Sequence, residues 1–147
     1  MREIKFRAMP ENRYDEEIDY ILDSVGFYTK GKGFDGNFVY GHLNGDYILG
    51  ETIEVAEDYY YPAYWVKVDK STVGQYTGLK DKNGKEIYEG DIIEYTSNFG
   101  GEKTERLKVS YSEIDGAFQI GWIRTDYATR NGEVIGNIYE NPELLEV

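Results

Sequence analysis

Apolar and charged residues alternate strictly from Glu3 to Ala8, with Ile4, Phe6 and Ala8 on one side and charges on the other. That period predicts a half-buried strand, ended by Pro10. The period then changes. Ile18, Ile21, Leu22 and Val25 follow an i, i+3, i+4, i+7 pattern, which predicts an amphipathic helix over Tyr14–Val25. Asp15, Glu16 and Glu17 crowd its first turn, where the helix dipole favours them, and Gly26 can end it. Gly31, Gly33 and Gly36 mark Thr29 to Asn37 as a loop. Beyond it the period of two returns. Phe38–Leu43, Asn44-Gly45 and Asp46–Leu49 read as strand, turn and strand, and Thr52–Val55 as a further strand. Val66 and Val68 continue another.

Turns punctuate the second half. Asp81-Lys82-Asn83-Gly84-Lys85 predicts a reversal of type I′, since Asn-Gly accepts positive φ at both central positions. Glu89-Gly90-Asp91 predicts a second, and Asp91–Thr96, with adjacent Ile92 and Ile93, a strand. Leu107, Val109 and Tyr111 alternate with polar residues; Asp115-Gly116 turns the chain; Phe118, Ile120 and Trp122 alternate again. This is a hairpin with both apolar sets on one face. Ile123–Asn131 reads as irregular or a short helical turn, Val134–Tyr139 as the last strand, and Pro142–Leu145 as one helical turn.

Composition reinforces the β reading. The 147 residues include 15 tyrosines and 17 glycines but 3 prolines; tyrosine favours strands and glycine marks turns and bulges. A chain of this length buries roughly two-thirds of its unfolded surface, enough for a real core in one domain or one domain with a satellite. It has no cysteine, which fits a reducing compartment. The start lacks the apolar run of a signal peptide, and no stretch approaches the ~20 apolar residues of a spanning helix. A cytoplasmic protein without membrane association is expected.

The formal charge of −12 is divided evenly: 14 acidic and 8 basic residues lie on each side of Gly74. Neither half has the clustered Lys and Arg that neutralise phosphates, so direct nucleic-acid binding is disfavoured. An acidic surface serves solubility, a basic partner, or mimicry of nucleic acid.

No catalytic set emerges. There is no cysteine nucleophile, no GxSxG, and one histidine, His42, with no cysteine to share a metal. GKGFDG lacks the Lys-Ser/Thr end and the strand–helix setting of a phosphate loop. Acid pairs such as Glu89/Asp91 arise by chance among 28 acids and are explained by turn chemistry. The expectation is therefore no catalytic, cofactor-binding or metal-binding residues and no cofactor. The most unusual composition is Tyr59 to Trp65, where Tyr59, Tyr60, Tyr61, Tyr64 and Trp65 put five aromatics in seven residues. Rings entering a sheet would explain them. So would a recognition patch, since Tyr and Trp dominate binding hot spots. Base stacking pairs aromatics with a basic groove; here Glu57 and Asp58 precede them, which favours protein contact.

TVGQYTGLKDKNGKEIYEGDIIEY, from Thr72 to Tyr95, resembles the signature of the YopX family of phage and prophage proteins. VIGNIYENPELL, from Val134 to Leu145, resembles that family's closing motif, and REIKFRA and NFVYGHL resemble its start. These blocks occur in family order over nearly the whole chain. Measured against that pattern, Glu11 to Asp35 is an insertion. The resemblance implies a fold and a phage context, and no catalytic residues.

The expected fold is mainly β with one or two short helices. Residues 73–147 should form a small SH3-like barrel or roll of about five strands; residues 1–72 should add a β-hairpin and helix extension, within the same domain or beside it. Short edge strands and exposed aromatics make self-association a further expectation. Three functional readings stand: a non-enzymatic phage accessory protein binding a host or phage protein, an acidic nucleic-acid mimic acting on a basic host protein, and a carboxylate-dependent metal hydrolase. The first is favoured, because role-bearing residue sets for chemistry are missing.

Overall fold

Strands joined by glycine-bearing reversals account for most of the structure. The computed structural model describes residues 3–11, 34–55, 60–97 and 100–146. In chain order the strands are β1 (Phe6–Ala8), β2 (Phe34–Asp35), β3 (Phe38–Asn44), β4 (Tyr47–Leu49), β5 (Thr52–Val55), β6 (Tyr60–Pro62), β7 (Trp65–Lys67), β8 (Gly74–Lys80), β9 (Glu86–Tyr88), β10 (Asp91–Ser97), β11 (Lys103–Ser112), β12 (Ala117–Ile120) and β13 (Gly132–Asn137), with helix α1 (Thr125–Asn131) before the last. Two 3₁₀ turns, Lys70–Thr72 and Pro142–Leu145, complete them. The fold is mainly β, as expected. The helix expected over Tyr14–Val25 lies outside the described residues.

The chain divides into two units, residues 4–75 and residues 76–147 with the first three, and the division falls within β8. In the first unit the strand order is β7-β4-β3-β1-β8, all antiparallel, with β2 folded back on β3. The loop expected through Asn37 thus contains a strand: Phe34 pairs with Val39 and Asp35 with Phe38, around Gly36 at φ 62°. Ala8, Val39, Ile48, Val66 and Val68 form the core, with Phe6, Leu43, Tyr64 and Val73 against it.

β1 departs from its expected half-buried pattern. It lies between β3 and β8, so both of its edges are paired, and the successive residues Arg7 and Ala8 are both buried, so both of its faces are covered. Arg7, placed on the solvent side by alternation, is only 4% exposed, and its guanidinium sits 4.3 Å from the centre of the Phe38 ring. A planar cation over a ring face is attracted by the ring quadrupole. Ile4, placed on the core side, precedes the strand and is exposed.

In the second unit, β8 and β9 form a hairpin, and β12-β11-β10-β13 form a four-stranded antiparallel sheet. Its core is Ile87, Ile93, Val109, Ile120 and Ala128, with Leu107, Ile123 and Val134 packed on it. Ile92 and Ile93 point to opposite faces and are both fully buried, so β10 is covered on both sides. The expected hairpin forms around Asp115-Gly116, Val109 facing Ile120 and Tyr111 facing Phe118, but Trp122, expected on its apolar face, lies beyond β12 after Gly121 (φ 53°) and is 76% exposed. The expected helical turn before the last strand is the seven-residue α1, which buries Ala128.

The expected barrel does not close. Among the described residues β12 and β13 are the two edges of the sheet and do not pair. The outer side of β13 is occupied instead by the β8–β9 turn: Lys82 N–H donates to the Gly132 carbonyl at 3.1 Å, and Val134 N–H to Asp81 Oδ2 at 2.9 Å. A closing strand would need those same groups.

That turn also differs in type. Gly84 has φ +82° but Asn83 does not share the positive φ a type I′ turn requires. Gly84 N–H donates to the Asp81 carbonyl at 3.0 Å, and Asp81 Oδ1 accepts from Asn83 N–H (2.8 Å) and Lys85 N–H (2.9 Å). Asp at the first position selects type I, with glycine then taking the left-handed position. Asp91, 1% exposed, acts likewise at the next reversal, accepting Tyr88 N–H at 2.8 Å. Asn137 repeats the device near the end, its Oδ1 accepting from Tyr139 and Glu140 N–H. The long Thr72–Tyr95 block and the closing block therefore supply turn acceptors.

Candidate functional site

The site is one face of β3, β4 and β7. In β4, Tyr47 and Leu49 point one way and Ile48 the other; in β7, Trp65 and Lys67 point one way and Val66 the other. Tyr47 pairs with Asn44 across β3 and with Lys67 across β7, and Leu49 pairs with His42 and with Trp65. Residues directly opposed across an antiparallel pair share a face. Ile48 and Val66 thus fill the core, 0% and 3% exposed, while Tyr47, Leu49 and Trp65 line up on the other side with His42, Asn44 and Lys67.

The ribbon continues past β4 and β7 in one register. Gly50 N–H donates to Tyr64 O at 2.8 Å, Ala63 N–H to Glu51 O at 2.7 Å, and Thr52 faces Pro62. This brings Pro62 near Trp65. Asn44, Tyr47, Leu49, Pro62 and Trp65 line an open depression of about 440 Å³. Pockets for organic ligands or short peptide segments start at roughly 300 Å³ and are mostly apolar with a few polar groups.

The β3–β4 turn sets the near wall. Gly45 and Asp46 are its central residues, and Gly45 alone has positive φ (+58°), the type II′ pattern. Lys70 closes the turn from outside, donating from Nζ to Gly45 O at 2.9 Å and standing 3.8 Å from Asp46. Lys67 Nζ lies 3.2 Å from Glu11 Oε2, and that hydrogen bond raises its pKa. Among the described residues the lining carries no carboxylate, imidazole or amine, and Lys67 with Glu11 and Lys70 with Asp46 stand beside it as pairs.

The aromatic segment is divided by this geometry. Trp65 lies on the depression. Tyr64 lies on the core side: its hydroxyl donates to the Tyr40 carbonyl, and its ring covers Gly50, where an added Cβ would stand 2.6 Å from a ring carbon. Burial raises the Tyr64 pKa, and Glu51 adds to the shift. The backbones of Tyr60 and Tyr61 form β6, and Tyr59 lies outside the described residues. Tyr47, Leu49, Asn44 and Pro62 went unmarked in the sequence. The alternation Asp46-Tyr47-Ile48-Leu49 carried half the signal, since it puts Tyr47 and Leu49 on one face. Their partner Trp65 depends on a pairing 16 residues away that no local pattern encodes.

Among the described residues, no three His, Asp or Glu side chains come together as a metal site would require. No helix of the described residues is long and apolar enough to cross a membrane.

The sequence profile described as YopX protein matches residues 37–146. The chain belongs to the YopX family. All five residues lining the depression fall within that match. A YopX relative of Bacillus subtilis (strain 168), described as SPbeta prophage-derived uncharacterized protein YopX, is 39% identical over 77 residues, covering 43% of this chain and 52% of that protein. The match thus spans about half the length of that curated relative. The crystal structure of protein EF1440 from Enterococcus faecalis resembles this YopX chain with a TM-score of 0.58 at 23% identity, covering 99% of this chain and 100% of that one. At that identity the likeness is one of fold.

Proposed function

We propose that this YopX-family chain is a non-enzymatic phage accessory protein, acting in the cytoplasm of a bacterial host, that binds another protein through the β3–β4–β7 face. The phage setting is supported by the prophage origin named for the Bacillus subtilis relative. The observation that carries the binding reading is the open depression where Tyr47, 41% exposed, stands beside Leu49, Pro62 and Trp65. Aromatic side chains bury large area at low entropic cost and anchor interfaces. The paired charges on its rim match the polar border of a protein interface. The sequence supplies no nucleophile–base set, which supports a role in binding over catalysis.

A photo-crosslinking residue placed at position 47 tests this in a lysate of the lysogenic host. The reading expects a discrete protein adduct from position 47 and none from the same probe at position 111, an exposed tyrosine of the other unit. Equal labelling from both positions would remove it.

A further inference from the structure

We propose that Asn44 is a self-modifying residue: the Gly45 backbone nitrogen closes on its side-chain amide, expels ammonia, and leaves an aspartyl or isoaspartyl residue at the β3–β4 turn, in the wall of the depression.

Three Asn-Gly pairs occur in the chain, Asn44-Gly45, Asn83-Gly84 and Asn131-Gly132. Glycine has no Cβ to obstruct the approach of its nitrogen to the preceding side chain, so by sequence the three pairs are equivalent. The structure separates them. Asn83 Nδ2 donates to Glu133 Oε2 at 3.1 Å, and Gly84 N–H to the Asp81 carbonyl at 3.0 Å. Asn131 Nδ2 donates to the Tyr127 carbonyl at 3.0 Å, and Gly132 N–H to the Ala128 carbonyl at the end of α1. In both pairs the leaving amide and the attacking nitrogen are held in other bonds. Gly132 is also buried, with Ala128 O and Ile93 Cγ2 2.6 Å from where a Cβ would stand, so a ring closing there is crowded.

Asn44 and Gly45 differ on each count. Both are exposed. Gly45 is the first central residue of a two-residue turn, and its N–H points away from the hairpin. Among the described residues neither the Asn44 amide nor the Gly45 N–H has a hydrogen-bond partner. Nothing lies within 4 Å of where a Gly45 Cβ would stand. Lys70 holds the turn through the Gly45 carbonyl and leaves the N–H of that residue open.

The step balances without a redox partner. The peptide nitrogen is delocalised into its carbonyl, so it attacks once hydroxide has taken its proton. The N–Cγ bond forms, the Cγ–Nδ2 bond breaks, and Nδ2 takes a proton from water and leaves as ammonia. Water then opens the cyclic imide. Cleavage of the new N–Cγ bond gives aspartate, and cleavage of the original N–C bond gives isoaspartate.

The product changes the face. Asn44 lines the depression with Tyr47, Leu49, Pro62 and Trp65, so either outcome puts a carboxylate among those rings. Isoaspartate also adds a backbone carbon at the turn, and turn length sets the register that pairs Asn44 with Tyr47. The chemistry belongs to the turn and holds whether or not the face binds a partner.

The test keeps the native chain in mildly alkaline buffer and follows the NH₂-to-OH mass gain at each pair by proteolysis and mass spectrometry. An isoaspartyl methyltransferase with a labelled methyl donor counts isoaspartate. The expected result is modification of Asn44 at least about tenfold faster than of Asn83 or Asn131, because only there is the attacking geometry open. The rate should rise with pH, and the three rates should converge in guanidinium, where the fold no longer protects any of them. Asn44→Gln, which closes a larger ring slowly, should remove the first product. Glu133→Ala, which releases the Asn83 amide, should raise the Asn83 rate several-fold and leave that of Asn44 unchanged. Modification of Asn83 or Asn131 as fast as Asn44 in the folded chain overturns the proposal, as does an Asn44 that stays intact. A preference for Asn44 that persists in guanidinium overturns its assignment to the fold.

Discussion

Asp81→Ala should destabilise the second unit while leaving the first unchanged. Asp81 is 7% exposed, and its carboxylate accepts three backbone N–H groups: Asn83 and Lys85 within the turn, and Val134 on β13. Alanine removes all three acceptors. The Val134 N–H, 53 residues away and part-buried, has the poorest access to water; leaving such a donor unpaired costs about 1–3 kcal/mol. The two turn donors lie near exposed residues and can be rehydrated, so each loses roughly 0.5–1 kcal/mol. The sum is roughly 2–5 kcal/mol, and at about 2–4 °C per kcal/mol for a chain of this size the midpoint should fall by roughly 4–20 °C. Asp81→Asn keeps one acceptor oxygen but turns an NH₂ towards a donor, so about half the loss should remain. Each unit holds one tryptophan, Trp65 in the first and Trp122 in the second. Urea unfolding followed by Trp122 in a Trp65→Phe background, and by Trp65 in a Trp122→Phe background, therefore reads the units separately. A Trp122 midpoint shifted by less than about 0.5 kcal/mol, the range of ordinary surface substitutions, would refute the reasoning.

Tyr95 should ionise well above the ordinary tyrosine range. Burial and a 2.5 Å hydrogen bond from its hydroxyl to Glu105 push its pKa up to about 12, while the same bond and Lys103 lower that of Glu105. A folded pKa raised above the unfolded value of 10 gives stability that is whole below pH 10 and is lost as pH rises towards 12. Tyr95→Phe should flatten the loss of stability across that window and remove one step near pH 12 from the absorbance titration at 295 nm; an unchanged step there would contradict it. Gly41→Ala should disrupt the first unit, because a Cβ there would lie 2.1 Å from the Leu49 carbonyl oxygen. Overlap with backbone cannot relax by a rotamer change, so a loss of about 3 kcal/mol or more is expected in urea unfolding, and a loss below about 1 kcal/mol would contradict the β3–β4 register.

Legibility in the sequence followed the range of the interactions involved. The hairpin of Val109–Ser112 with Ala117–Ile120 was readable because its alternation and its Asp115-Gly116 turn are local and agree, whereas Trp122 fell outside it because Gly121, at φ 53°, breaks the alternation. The strands Phe38–Leu43 and Asp46–Leu49 were readable for the same reason. Arg7 was misassigned because alternation assumes one solvated face, and the Phe38 ring that its guanidinium packs on comes from a residue 31 positions later. The Asn83-Gly84 turn was misassigned because the dipeptide signal ignores Asp81, whose carboxylate favours type I. The barrel failed on a contact between residues about 50 apart, the Asp81 turn lying along β13. The aromatic segment showed composition and nothing of direction. Only the pairing of Leu49 with Trp65 tells that Trp65 faces outward while Tyr64 packs within.

The family signature thus reads as turn chemistry, and the proposed binding role rests on the face of β3, β4 and β7. The most direct measurement is affinity capture from a lysogen lysate with three chains of equal stability: the native chain, Tyr47→Ala and Trp122→Ala. Trp122 is 76% exposed and lies in the other unit, so it controls for aromatic stickiness. The account predicts a retained protein that is lost with Tyr47→Ala and kept with Trp122→Ala. A protein kept with Tyr47→Ala and lost with Trp122→Ala would contradict it.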